Sequence, residues 1–307
     1  MIKRTLYFET NARLTTKKEQ LVVTFTDNEM TAGTVPIEDI GVLIIDAQQL
    51  MLSRALISKL LSNNVALITC DEKHMPQGLM LNLSGNSIQQ ERFNYQINAT
   101  LPLKKNLWQQ TVKMKIRNQT NLLKQFFPEL NIQPMRYWEN EVKSGDTDNY
   151  EARAAAFYWK TIFADMIPNF KRGRFEKDPN NLLNYGYAIL RAVTARSLIG
   201  SGLLPTLGIF HHNKYNAYAL ADDIMEPYRP FVDWIVRDMV EKYYSDDWEK
   251  KGFPLLPAIK KELLTIPAID IMIDDKKSPL MIGMGRTTAS VAECFEGKRK
   301  KILYPEL

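Results

Sequence analysis

Residues 64–127 read NVALITCDEKHMPQGLMLNLSGNSIQQERFNYQINATLPLKKNLWQQTVKMKIRNQTNLLKQFF. The hydrophobic period changes inside this stretch. NVALITCD and MLNLS are short apolar runs of the kind that form buried strands. From Ser87 to Phe127 the Leu, Ile, Phe and Trp residues recur at helical spacing among Lys, Gln and Asn. Pro102 interrupts that pattern and predicts two helices around it. The switch falls near residues 84–88, without a Pro- or Gly-rich linker. It predicts an α+β protein of two parts held in a fixed relative pose. Residues 1–85 form a small N-terminal β-rich domain with one helix. Residues 86–307 form a larger all-α C-terminal domain.

Working outward towards the N-terminus, RTLYFE, EQLVVTF and GVLIID are β-branched and apolar runs broken by polar segments. ARLTTKK between the first two reads as a turn or a polar strand. MLSRALISKLLSNN carries Met51, Leu52, Ala55, Leu56 and Leu60 on one helical face, with Asn63 and Asn64 as its stop. Towards the C-terminus, Pro128 and Pro134 break the helical pattern. SGDTDN, residues 144–149, is a loop ending in good N-cap residues, and EARAAAFYWKTIFADMI follows it as an alanine-rich helix. Asp178 is expected to cap a helix with Pro179 at its first position. That helix, NLLNYGYAILRAVTARSLIG, is expected to end near Gly200 and Gly202. A further helix is expected from Pro227 to Tyr243, and the tail from Arg286 to Lys301 is expected to be helical and basic at its end.

At 307 residues the chain holds one large or two ordinary domains. Forty basic against 35 acidic residues leave a net charge of +5, a weak pointer to a polyanionic partner. Two distant cysteines, Cys70 and Cys294, make neither a disulfide framework nor a CxxC metal pair. The start, MIKRTLYFETNARL, lacks an apolar leader core, and no apolar run is long enough to span a bilayer. These features predict a cytoplasmic protein with no membrane partner.

The chemistry is concentrated in residues 207–233, LGIFHHNKYNAYALADDIMEPYRPFVD. Two of the three histidines (His211, His212) lie near three acids (Asp222, Asp223, Glu226). An imidazole and carboxylate set suits a hard or borderline divalent cation with open water positions. Each residue also has a structural reading. A histidine is more often a satisfied structural residue than a ligand. Asp222, Asp223 and Glu151 fit helix starts, where an acid stabilises by roughly 0.3–1 kcal/mol. Glu226 is the odd one, because Pro227 removes a backbone donor and fixes its carboxylate at a bend. The basic loop KRGRFEK places Lys171, Arg172 and Arg174 around Gly173, which suits either a solvated surface or phosphate contacts. His74 reads as a structural or surface residue. GxxxxGK[ST], GxGxxG after a strand, and GxSxG do not occur.

Four separated segments together resemble the CRISPR spacer-acquisition integrase family, the universal catalytic subunit of CRISPR adaptation. ADDIMEPYRPFVD preceded by LGIFHHNKYNAY resembles its signature. EARAAAFYW resembles its E-x-x-A-A-x-x-Y-F/W segment. NLLNYGYAILRAVTARSLIGSGLLPTLG resembles the helix before its histidine, and GVLIIDAQQLMLSRALISKLLSNNVALITCDEKHMPQG its N-terminal strand–helix–strand core. The resemblance spans nearly the whole chain and is nearest the type II subgroup. It implies a metal triad of Glu151, His211 and Glu226 holding Mg²⁺ or Mn²⁺. His211 fits the LG-x-x-H spacing best, with His212 as fallback, and Asp223 resembles a supporting acid. Phosphate contacts would fall on Lys171, Arg172, Arg174, Arg191 and Arg196.

The resemblance implies a metal-dependent DNA endonuclease and integrase of antiviral defence. A DNA 3′-hydroxyl attacks a phosphodiester at the repeat border by direct transesterification. The implied partners are double-stranded DNA (captured fragment and repeat array), a small companion subunit, and a second copy of the chain in a homodimer formed through the N-terminal domains. A standalone metal-dependent nuclease acting on branched or damaged DNA is the alternative enzyme, and a non-catalytic DNA-binding scaffold the alternative of another class.

Overall fold

A computed structural model describes residues 3–25, 31–173, 175–243 and 252–307. The N-terminal part holds two four-stranded sheets. One has the order β1 (Arg4–Phe8), β5 (Ile40–Ile45), β7 (Ala66–Cys70), β8 (Pro76–Met80), parallel except for the last pair. The other has the order β4 (Thr31–Pro36), β3 (Gln20–Phe25), β2 (Ala12–Lys17), β6 (Leu50–Leu52). ARLTTKK is thus a strand, and the helix expected from Met51 starts later, at α1 (Arg54–Ser62), capped by the Ser53 hydroxyl. Met51 and Leu52 belong to β6.

Strand β5 explains why GVLIID is an unbroken apolar run. Ile40 and Leu43 pack into the β domain's own core with Leu14, Leu21, Leu56 and Leu60. Val42 and Ile44 point the other way, into the cluster that also contains the C-terminal helices. A strand buried on both faces has no polar side to show. Ala66 and Ile68 of β7 join the helical cluster in the same way, while Leu67 faces the β core. The sheet and the helices therefore share one apolar interior. Buried Asp46, just after β5, adds a polar tie. It accepts from Lys260 and contacts His74 at 2.8 Å each, and Tyr7 donates to it as well.

The C-terminal part is helical, with α2 (Gln89–Ile97), α3 (Leu101–Phe126), α4 (Gln133–Glu141), α5 (Tyr150–Thr161), α6 (Asn180–Gly200), α7 (Ala219–Met225), α8 (Arg229–Tyr243), α9 (Pro257–Leu263) and α10 (Leu280–Phe295). Pro102 sits in the first turn of α3, where its missing N–H costs nothing. Buried α6 is the central post, and α8 approaches it at Gly186, where a Cβ would meet Val232 Cγ1 at 2.6 Å.

Three expectations need correction. The alanine-rich helix stops at Thr161, short of residue 167. Pro179 precedes α6 behind a cis Asp178–Pro179 bond. Asp178 does not cap that helix but accepts the Phe253 backbone N–H at 2.6 Å. The last helix begins before Arg286 and ends at Phe295, because Gly297 takes the left-handed conformation (φ +74°) that closes helices. The basic GKRKK lies beyond it. A hairpin in the helical part, β9 (Asp270–Ile273) and β10 (Lys276–Pro279), was not expected from the sequence. No helix among the described residues is long and apolar enough to cross a membrane.

Candidate active site

Four segments build the site, each placed by a local sequence feature. Glu151 lies in the first turn of α5. The start of that helix is capped by Asp146, whose two carboxylate oxygens accept the N–H groups of Tyr150 (2.9 Å) and Glu151 (3.0 Å). Glu226 begins a 3₁₀ turn, Glu226–Tyr228, that joins α7 to α8 with no non-helical residue between them. Pro227 cannot donate within an α-helical ladder, and the tighter turn accommodates it. Its carbonyl is held by Asn118 of α3, which donates at 2.8 Å. The carboxylate of Glu226 is thereby fixed at the 3₁₀ turn, with the residue only 5% exposed.

His211 lies in the loop before α7, and Asp223 on α7 organises that loop. Asp223 is fully buried. One oxygen accepts the backbone N–H groups of Ile209 (2.7 Å) and Phe210 (3.0 Å). The other accepts the His211 N–H (3.3 Å) and stands 2.5 Å from His211 Nδ1. Trp108 and Phe210 stack at 4.2 Å and wall the imidazole edge-on. Gly208 is required by space, since a Cβ there would meet the His211 carbonyl at 2.5 Å and Asp223 Oδ2 at 2.9 Å. His212 is exposed, while His211 faces this polar cluster.

The centre of the site is a residue the sequence reading passed over. Lys115 of α3 donates to Glu151 Oε1 at 2.7 Å and pairs with Glu226 Oε2 at 2.6 Å. Arg229 takes the other oxygen of Glu226 at 3.0 Å. Burial raises the Glu226 carboxyl's pKa, but Arg229, Lys115 and His211 outweigh it, so Glu226 is held below its ordinary value. Burial likewise lowers the Lys115 ammonium, yet Glu226 and Glu151 outweigh it and hold it above its ordinary value. The Asp223 hydrogen bond raises His211, against burial, with Glu226 and Glu151 adding to the rise. Glu151, His211 and Glu226 are thus within electrostatic reach of one another. Among the described residues, however, no three His, Cys, Asp or Glu side chains converge closely enough to hold an ion as they stand.

The donor chemistry nevertheless fits a hard divalent cation. Two carboxylates already share a positive charge, and the imidazole has one nitrogen engaged by a carboxylate and the other left as a donor atom. The basic residues are dispersed. Arg191 pairs with Asp222 at 2.6 Å, and Arg196 donates to the Asn64 carbonyl at the seam with the β domain. Arg172 lies over the rings of Trp159 and Tyr187 and donates to Asn180 and Asn184 at 2.9 Å. Lys171 is exposed, and Arg174 lies outside the described residues.

The family model described as CRISPR associated protein Cas1 matches residues 6–264. The chain is 33% identical over 312 residues to a CRISPR-associated endonuclease Cas1 of Neisseria meningitidis serogroup C (strain 8013), covering 100% of this chain and 97% of that relative. Its fold matches a casposase bound to integration product with a TM-score of 0.78 at 20% identity, over 98% of this chain and 92% of that one. It also matches a chain of a Cas6-RT-Cas1–Cas2 complex with a TM-score of 0.76 at 18% identity, over 100% of this chain and 37% of that one.

Proposed function

The chain belongs to the Cas1 family and is a metal-dependent DNA endonuclease and integrase of CRISPR spacer acquisition; we propose that Glu151, His211 and Glu226 form its reaction centre. The observation that carries this reading is the shared ammonium. Two carboxylates from segments 75 positions apart are brought onto one positive charge, Lys115 Nζ, beside an imidazole clamped by Asp223. Like charges are gathered in this way where a cation is to be used.

Glu151, His211 and Glu226 would hold Mg²⁺ or Mn²⁺, and that ion, when bound, activates the attacking hydroxyl and neutralises charge on the scissile phosphate. In the transesterification one P–O bond forms to the incoming 3′-oxygen as another P–O bond breaks. The proton lost by the attacking hydroxyl is balanced by one gained at the departing 3′-oxygen. Asp223 keeps the His211 proton on Nδ1 and leaves Nε2 with its lone pair. Arg229 keeps Glu226 ionised. Burial of Glu226 limits water at that carboxylate.

Double-stranded DNA is the proposed substrate, both as captured fragment and as repeat array. Lys171, Arg172, Arg174, Arg191 and Arg196 are proposed phosphate contacts, with Arg191 and Arg196 needing to leave the partners described above. A small companion subunit and a second copy of the chain complete the proposed assembly. Residues 1–85 would form the dimerisation domain and residues 86–307 the catalytic one.

The test combines the protein, its companion subunit, Mn²⁺, a duplex with free 3′-hydroxyls and a repeat-bearing plasmid. Wild type should give joined product, and Glu151→Ala should bind duplex without joining it. Cleavage with no joining overturns the integrase reading. Joining that survives Glu151→Ala overturns the assignment of the centre.

A further inference from the structure

Lys115 falls on the buried stripe of α3 that carries Trp108, Val112, Gln119 and Leu122. A lysine in such a place needs counter-charge. It has it from Glu151 and Glu226. A divalent cation drawing on the same two carboxylates would meet the ammonium head-on. The two cations would compete for those oxygens, because each repels the other and weakens its hold on the shared carboxylates.

Lys115 also lines a polar cavity of about 290 Å³, where Asp233 and the amide of Gln119 stand with Tyr187 and the guanidinium-bearing Arg172 and Arg229. Gln119 is one helical turn further along α3 and 2% exposed, and its amide oxygen has no hydrogen-bond partner among the described residues. A buried amide oxygen facing a polar cavity can accept a further donor. It lies within the reach of an i, i+4 lysine on the same helix.

We propose that Lys115 is an exchangeable counter-ion, which holds Glu151 and Glu226 together and swings into the Gln119 cavity when a divalent cation takes those carboxylates. Lys115 is then a positioning residue. It keeps the two acids from repelling each other apart, and it makes the ion compete for them. The inference rests on the reading of Glu151 and Glu226 as ion-binding groups.

The experiment measures Mn²⁺ binding to the full chain by calorimetry, with folding checked by circular dichroism. Lys115→Met should bind Mn²⁺ about tenfold more tightly than wild type, since the competitor is gone. A residue that merely supported the fold would leave that affinity unchanged or weaken it, and either result overturns the proposal. Should Lys115→Met fail to fold, a crystal of the wild-type protein with Mn²⁺ decides. Lys115 Nζ should lie beyond ~4 Å, the usual ion-pair limit, from both carboxylates. An ammonium still on both acids beside a bound ion overturns the exchange. Glu151→Gln separates the two levels of inference. If it binds Mn²⁺ as wild type does, the carboxylate pair is not the ion's site, and the exchange falls together with the proposed centre. If Glu151→Gln loses the ion while Lys115→Met matches wild type, only the exchange falls.

Discussion

Asp223 Oδ1 stands 2.5 Å from His211 Nδ1, and the same carboxylate accepts backbone N–H groups from Ile209, Phe210 and His211. One buried acid thus sets the loop, the ring and the tautomer together. Asp223→Asn keeps an oxygen for part of the loop but replaces the charge and one acceptor by a donor. Joining activity should fall about 10–100-fold, the range for partners that orient a ligand. The measurement is the rate of strand joining on folded protein, set beside the melting temperature. Unchanged joining would mean that His211 does not need this orientation.

Gly208 gives an independent handle on the same clamp. A methyl group there must push aside the His211 carbonyl or Asp223 Oδ2. Gly208→Ala should lower joining about as much as Asp223→Asn, with a stability loss of about 1–3 kcal/mol from overpacking. Denaturant melts and joining assays on the same preparation check both parts.

Much of this site is legible in the sequence because its features are local. Glu226 before Pro227 announces an interruption of the helical ladder, and the LG-x-x-H spacing of the family resemblance picks out His211, whereas the crowding of Gly208 by the His211 carbonyl and Asp223 Oδ2 shows only in three dimensions. The α+β division is legible because the period changes from strand-like to helical around residue 85. Lys115 is different. Its partners are 36 and 111 positions away, so no local spacing reveals them. The available signal is its place on an otherwise buried stripe of α3, a poor place for a solvated lysine. The β9–β10 hairpin also left a trace, two consecutive aspartates, Asp274 and Asp275, both with left-handed φ near 55° as a tight hairpin turn requires.

Asp233, in the wall of the cavity that Lys115 and Arg229 line, supplies a pH test at a third acid. It is buried and accepts hydrogen bonds from Tyr158 (2.8 Å) and Tyr187 (2.5 Å). Burial, only partly offset by those tyrosines, pushes its carboxyl up to about 6. Between an unfolded value of ~3.9 and that folded value the native state binds the extra proton, so this group's contribution to stability falls as pH rises. Above about pH 6 it disfavours the fold by about 3 kcal/mol relative to its effect below pH 4. Asp233→Asn should flatten that part of the stability curve. Urea melts of wild type and variant from pH 4 to pH 7 measure the difference, and parallel curves would contradict it.

Lys260 and Asp46 tie the β-rich and helical parts together. Lys260 Nζ lies 2.8 Å from Asp46 Oδ2, with side chains 5% and 0% exposed. Burial raises the Asp46 carboxyl, but hydrogen bonds from Lys260, Tyr7 and His74 outweigh it, so Asp46 is held below its ordinary value. An acid shifted in that direction contributes its stability above the unfolded pKa and loses it as pH falls through the lower folded one. Lys260→Met removes the ammonium and strands a buried carboxylate, which should cost about 3–5 kcal/mol at pH 7. Lowering the pH protonates that stranded acid, so the penalty should shrink towards pH 4. Asp46→Asn in the Lys260→Met background should recover part of the loss, a coupling of about 0.5–3 kcal/mol in the double-mutant cycle. Joining per folded molecule should be unaffected at 25 °C, because neither residue contacts the Glu151–Glu226 pair. A penalty that is the same at pH 4 and pH 7 would show that Lys260 acts by packing rather than by charge.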